Sequence, residues 1–186
     1  MVNMRELWEP IVLSSAGVFV ASAVIWMVAG YHKKDLVGVK DEEAMRKAIK
    51  AQDLAPNQYA IPYSADQKDR MTPEFQQKMK DGPLAIITIR KAGMPDMKRM
   101  LGAWMLHLLI LNAFIAYISG RVGSHGIPFL PVFRTVGTIA LIGFAGALPV
   151  QSIFWGKPVR ATALDMFDAL INALITGAIY GWLWPQ

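Results

Sequence analysis

The sequence predicts an all-α integral membrane protein with four transmembrane helices and a small cytoplasmic α+β segment between the first two. Of the 186 residues, 54% are hydrophobic and 18% are charged, and the mean hydropathy is +0.32. This composition is too apolar for an ordinary soluble domain. The charges are also segregated, because charge-free runs of 18 to 23 residues occur four times. About 20 apolar residues are enough for a helix to cross the hydrocarbon layer.

The first transmembrane helix is predicted within residues 1–31, from about Pro10 to Tyr31. A proline is harmless at a helix start because the N–H that it lacks would have no intrahelical partner there. The apolar run is longer than the core of a usual signal peptide, and the segment before it has one Arg against Glu6 and Glu9, so we interpret it as an uncleaved anchor. Gly17 and Ala21 belong to a small-residue surface on which another helix can pack closely.

Residues 32–99 are too long for a turn and are predicted to fold into a small unit on the cytoplasmic side. An amphipathic helix is expected from Asp41 to Leu54, and a second helix from Thr72 to Gly82, where a capping residue, an early proline and a closing glycine occur in order. Residues 59–63 and 84–89 are short apolar pieces that we expect to pair as strands. A unit this small is marginal alone, so we expect it to rest on the membrane face or on a partner.

The segment 32–100 contains 14 basic and 10 acidic residues. This excess of positive charge indicates either a surface for anionic lipid headgroups or a solvated face that follows the positive-inside rule. Nucleic acid is not an expected partner, because the basic residues alternate with acidic ones and no stacking platform or binding motif accompanies them.

The second transmembrane helix is predicted at 100–119, and His107 lies well inside it, about 10 Å from its cytoplasmic end by helical rise. Haem ligation by two histidines needs a second ligand at similar depth, whereas His32 and His125 fall at the end of the first helix and in the outer loop. Three roles therefore stay open for His107: a haem shared between two copies, a proton relay, or an interhelical hydrogen bond. The sequence predicts no cofactor and leaves haem or quinone open.

Residues 120–134 are predicted to form an apolar outer loop rich in glycine and proline, which lies in the membrane interface or against a partner. The third transmembrane helix is predicted at 135–156. Gly146 and Pro149 predict a kink in it, because proline removes one hydrogen bond of the helix.

Residues 157–186 are predicted to form a short cytoplasmic turn and the fourth transmembrane helix. On one face of this helix, Asp165 is followed at every fourth position by a small residue: Ala169, Ala173, Gly177 and Gly181. A neighbouring polar series contains Asp168, Asn172, Thr176 and Tyr180. The combined face predicts helix packing within the monomer or between identical subunits, and a polar path for a substrate or ion is the alternative.

Asp165 and Asp168 lie near the start of this fourth helix. Thr162 and Asp165 have the spacing of a capping box, and two carboxylates there complement the positive end of the helix dipole. We expect Lys157 and Arg160 to neutralise them. A proton-coupled mechanism is the alternative interpretation.

The distribution of Lys and Arg predicts the orientation, because 16 of the 19 fall in the two segments that share one side of the membrane. Both termini are therefore expected outside and residues 32–99 in the cytoplasm. The sequence has no transit-peptide pattern, so the bacterial inner (cytoplasmic) membrane is the expected location.

The chain contains none of the short catalytic motifs of hydrolases, nucleotide-binding enzymes or metalloproteases, and it has no cysteine. The sequence therefore favours a non-catalytic structural, assembly or accessory subunit of a membrane complex, built from copies of this chain or with other membrane subunits. The first alternative is a small oligomeric channel or transporter with a polar path along the fourth helix. The second is a redox subunit that binds haem or quinone.

Overall fold

The structure is a computed structural model that describes residues 1–186. Four of its helices are long and apolar enough to cross a membrane, and they suggest a multi-pass membrane protein: Met4–Ala29, Met97–Val122, Phe129–Trp155 and Val159–Trp182. The predicted set of four apolar helices, with a small sheet between the first two, is confirmed. The chain divides into two compact units, Met1–Leu36 with Pro95–Gln186, and Val37–Met94.

The elements follow in chain order. The helices are α1 (Trp8–Val24), α2 (Glu42–Ala51), α3 (Gln67–Arg70), α4 (Pro73–Asp81), α5 (Met97–Val122), α6 (Phe129–Ala145), α7 (Leu148–Trp155) and α8 (Val159–Trp182). The strands are β1 (Asn57–Ile61) and β2 (Ala85–Ile89).

The first long helix consists of α1 between a 3₁₀ turn, Met4–Leu7, and a π-helical turn, Ile25–Ala29. It ends at Gly30, whose φ of 67° is left-handed, a conformation that glycine adopts without steric cost. The predicted end at Tyr31 therefore comes two residues too late. A second 3₁₀ turn, Tyr31–Lys34, follows, and its first two side chains contact α8.

The third long helix begins at Phe129 and includes the end of the segment that was predicted to be an outer loop. Pro131 suggested a loop, but it lies in the first turn of α6, where a missing N–H costs no hydrogen bond. The predicted break is present, because α6 ends at Ala145 and α7 starts at Leu148 with Pro149 in its first turn.

The larger unit is built around the contact between α6 and α8. A Cβ atom placed on Gly177 would lie 2.9 Å from the carbonyl oxygen of Phe133 and 3.2 Å from Cα of Gly137. The backbones of the two helices therefore approach as closely as only glycine allows. The α1 helix packs against both α5 and α8.

Buried hydrogen bonds link α1, α5 and α8 in the middle of the bundle. The Nδ2 atom of Asn112 donates to Ser15 Oγ over 3.2 Å, and the hydroxyl of Tyr180 donates to the Asn112 carbonyl oxygen over 2.9 Å. Tyr180, Asn112 and Ser15 are all fully buried. In a bundle with apolar surroundings, such bonds fix the register of the helices in a way that apolar contacts alone do not.

The smaller unit, Val37–Met94, contains α2 to α4 and an antiparallel pair of strands, in which Asn57 faces Ile89 and Ile61 faces Ala85. Asp41 caps α2 and Thr72 caps α4, each by accepting a hydrogen bond from a backbone N–H in the first turn. Both helices and the second strand lie within the predicted segments, whereas the first strand, predicted at 59–63, begins and ends two residues earlier. The short helix α3 was not predicted.

Candidate functional site

A buried histidine joins the end of the first long helix to α8. The side chain of His32 is 4% exposed. Its Nδ1 atom lies 2.5 Å from Asp35 Oδ2, and its Nε2 atom lies 2.9 Å from Asp168 Oδ2. A protonated imidazole donates from both nitrogens, so this arrangement matches the charged form of the ring.

Burial by itself lowers the pKa of His32, but the hydrogen bonds to Asp35 and Asp168 and the charges of both carboxylates oppose burial, and the net shift is upward. The imidazolium is therefore stabilised between its two carboxylates. Trp26 stacks on the ring, with centroids 4.3 Å apart and planes inclined by 9°, and fixes its orientation.

Asp168 receives a second hydrogen bond from the hydroxyl of Tyr31. Burial and this bond to a carboxylate raise the pKa of Tyr31 to about 12. The hydroxyl therefore remains a donor at any ordinary pH. Each oxygen of Asp168 thus has one partner from the turn that follows Gly30.

Two permanent cations complete the network. Lys157 forms an ion pair with Asp165, and the Arg160 guanidinium donates to Asp35 Oδ1 over 3.1 Å and to the Tyr31 carbonyl oxygen over 3.2 Å. The polar cluster, as we call it, contains His32, Tyr31, Asp35, Lys157, Arg160, Asp165 and Asp168. Its three carboxylates face two permanent cations, and the His32 proton supplies the third positive charge.

Ligand atoms of His32, Asp35 and Asp165 come within 4.8 Å of one another, a spacing within which several side chains can reach one metal ion. Both carboxylates, however, are already paired with Lys157 and Arg160. A metal ion would have to displace these cations, so we interpret the group as an ion-pair network.

A groove of about 670 Å³ opens beside the polar cluster, between α1, α5 and α8, and is bounded by the bend between α6 and α7. Most of its wall is apolar, and its acidic and amide side chains, Asp165, Asp168 and Asn172, all come from α8. The apolar wall includes Phe19, Trp26, Leu101, Trp104, Phe144 and Leu148. Since Trp26 and Asp168 contact His32, the groove and the polar cluster are contiguous.

Asn172 lies one turn of α8 beyond Asp168 and is 7% exposed. Its Oδ1 atom has no hydrogen-bond partner within the chain. A buried acceptor without a partner is costly, on the order of 1–3 kcal/mol.

His107 lies on the exposed side of α5, where its ring stacks on Trp104 at a centroid distance of 5.4 Å. The polar cluster is therefore built around His32, and His107 is not part of it.

The small residues of the fourth helix are used inside the monomer. Ala169, Ala173, Gly177 and Gly181 are buried, and a Cβ atom on Gly181 would lie 2.6 Å from the Phe129 ring. On α1, a Cβ atom on Gly17 would lie 3.2 Å from side chains of α8, and Ala21 is half-buried on the same helix. Thr176 is also buried, and its hydroxyl donates to the Asn172 carbonyl oxygen over 2.9 Å.

The expected capping box of the fourth helix is absent. The α8 helix begins at Val159, immediately after Pro158, so Thr162 lies within the helix and its Oγ1 atom is 2.6 Å from Ser152 Oγ. The expected pairing of Lys157 with Asp165 is present. Arg160 instead reaches Asp35, because the turn after Gly30 brings that carboxylate to the start of α8.

Sequence reasoning did not find the central residue, His32, or its neighbours Tyr31 and Asp35. One sequence feature could have indicated this site: the predicted topology places His32, Asp165 and Asp168 at the same depth, at the cytoplasmic boundary. No protein-family model, curated protein or solved structure matches this chain, so a function for it has to come from the geometry of the site.

Proposed function

We propose that this chain is a multi-pass protein of the bacterial cytoplasmic membrane that binds an amphiphilic small molecule in the groove. The observation that supports this most strongly is the lining of the groove, which is apolar over most of its wall and polar along α8, at Asp165, Asp168 and Asn172. Its volume of about 670 Å³ lies within the range of about 300–1,000 Å³ typical of small-molecule sites.

The position of Asp165 and Asp168 also favours an amphiphile over a fully apolar ligand. Lys157 pairs with Asp165 and Arg160 with Asp35, and the positive-inside rule assigns such basic residues to the cytoplasmic boundary. The ligand head would then lie near the headgroup level, while its tail lies along the aromatic walls within the hydrocarbon layer. This placement leaves no polar group of the ligand in lipid.

Filling the groove is expected to remove the bound molecule. Ala23 lines the groove, so Ala23→Trp introduces an indole into it. Native mass spectrometry of the protein purified gently from its membrane should show a retained small molecule on the wild type and its loss from the variant. Its mass identifies the class of ligand.

Val24→Trp is the matched control, because Val24 is the next residue along α1 and is half exposed, outside the groove lining. This variant is expected to retain the molecule. Equal retention by both tryptophan variants would contradict a binding site in the groove.

A second candidate function is the accessory subunit that the sequence favoured, and the position of His107 supports it. His107 is ten residues into α5, about 15 Å along the helix, and it is exposed on a largely apolar surface. A polar side chain that faces lipid at this depth is unfavourable, and a hydrogen bond to a neighbouring subunit would remove the penalty.

His107→Leu is expected to lower the oligomeric fraction in native mass spectra if a subunit covers this face. Phe114→Leu, on the same side of α5, changes apolar surface only and is the control. Unchanged assembly in His107→Leu would exclude this contact. A Soret band that disappears with His107 would instead assign the residue to a haem, which the sequence left open.

A further inference from the structure

We propose that the ligand of the groove is an amphiphile whose head carries a single positive charge, and that this charge exchanges with the proton on His32. This inference deepens the proposed function and rests on it. It assigns both a chemical class to the ligand and a condition under which the ligand binds.

The charge balance of the polar cluster favours a cation. Asp35 is paired with Arg160, and Asp165 with Lys157. Asp168 has no permanent cation as a partner, because its two hydrogen bonds come from His32 and Tyr31. Without the His32 proton the cluster therefore carries one unbalanced negative charge, located on Asp168.

This unbalanced carboxylate also lines the groove. The Asp168 side chain is 14% exposed, so its charge is only partly screened by solvent. One turn further along α8, the buried Oδ1 atom of Asn172 also lacks a partner. Asp168 is a charged acceptor, so a cationic or N–H-bearing head satisfies it where an anionic head is repelled.

The aromatic wall of the groove is suited to the same kind of head. Trp26 on α1 and Trp104 on α5 both line the groove. The face of an indole attracts cations, and more strongly where the site is desolvated. A groove lined by two tryptophans and a carboxylate thus favours an ammonium group.

Exchange follows from the electrostatics of His32. The charged and titratable groups that face it come from the turn after Gly30, the start of α8 and the segment before α8: Asp35, Asp168, Asp165, Tyr31, Arg160 and Lys157. A ligand cation beside Asp168 disfavours the imidazolium, and loss of the proton leaves Asp168 free to pair with the ligand. Binding should therefore release one proton. The affinity should rise by up to about tenfold per pH unit, until the pH is reached at which His32 is already neutral in the ligand-free protein.

The test uses three dodecyl amphiphiles with matched tails and fixed charges: dodecyltrimethylammonium, dodecanesulfonate and dodecyl maltoside. Their affinities for the full chain in phosphatidylcholine nanodiscs are measured from pH 5.5 to 8.5, with empty nanodiscs as the reference. We expect the cation to bind at least tenfold more tightly than the anion at pH 8, and only the cation to bind more tightly as pH rises.

Two variants separate the roles of the cluster. His32→Gln keeps the carboxylate of Asp168 and should bind the cation equally at every pH. Asp168→Asn should weaken cation binding at least tenfold at pH 8. Glu9→Gln, an exposed carboxylate in the first turn of α1, should behave as the wild type. At low pH, His32→Gln is expected to bind the cation more tightly than the wild type. A variant that failed to fold would bind less, so misfolding cannot produce this result.

The outcomes distinguish the inference from the proposed function. Equal binding of all three amphiphiles, blocked by Ala23→Trp, would overturn the cationic ligand and leave the groove as an amphiphile site. Cation binding that is independent of pH in the wild type would overturn the exchange with His32. Binding of none of the three above the level of empty nanodiscs would overturn the inference, and retention of the native molecule by Ala23→Trp would overturn the proposed function.

Discussion

Gly177→Leu is expected to destabilise the protein by about 3 kcal/mol or more, at the upper end of the usual cost of overpacking. The new side chain would meet the Phe133 carbonyl oxygen and the backbone of Gly137, neither of which can move without shifting α6. For a chain of this length, that loss corresponds to a melting temperature lower by roughly 6–12 °C in detergent. Circular dichroism during heating measures the change.

Gly102→Leu is the matched control for this prediction. Gly102 lies in α5, and a Cβ atom there would have no other atom within 4 Å. Leucine also has a better helix propensity than glycine, by roughly 0.5–1 kcal/mol, so this variant should be as stable as the wild type or slightly more stable. Equal melting temperatures for the two leucine variants would show that α6 and α8 do not approach closely at Gly177.

His32→Gln is expected to lower the melting temperature at pH 6, and the difference from the wild type should shrink as pH rises. The folded-state pKa of His32 is raised above its ordinary value of 6.5. The stabilisation by its proton is therefore fully present below about pH 6.5 and disappears as pH rises through the folded-state pKa. Removing the charged partner of buried carboxylates costs up to about 3 kcal/mol.

Lys33→Gln tests whether this effect belongs to His32 alone. Lys33 is the adjacent residue, is exposed, and forms no ion pair in the chain. Its replacement removes one positive charge from the same turn without touching the polar cluster. The melting temperatures of Lys33→Gln and the wild type should follow the same course from pH 5.5 to 9, and a similar loss in both variants would indicate a general charge effect.

The four long helices were predictable because the bilayer imposes a simple length rule on apolar runs, and each run here meets it. The sheet was predictable from two short apolar segments near turn residues. Helix ends were harder to predict, because their position depends on single residues. Gly30 ends the first long helix through its left-handed conformation, and Pro131 lies inside a helix because its first turn tolerates proline.

The polar cluster could be predicted only in part. Lys157 and Asp165 are eight residues apart, close enough for their pairing to be inferred from local sequence. His32 and Asp168 are separated by 136 residues, and their contact depends on how α1 and α8 pack. Arg160 was expected to neutralise a neighbour in sequence, whereas its partner, Asp35, is brought to it by the turn after Gly30.

The buried hydrogen bonds between the helices bear on how the chain is made. The Asn112 carbonyl and the His32 ring are synthesised well before their partners on α8, the Tyr180 hydroxyl and the Asp168 carboxylate. Until α8 is made, His32 therefore lacks its Asp168 partner, and the packing of α8 against α1 and α6 cannot form. The earlier helices are thus expected to remain loosely packed until α8 has been synthesised. Packing of α8 against them is then the last step of folding.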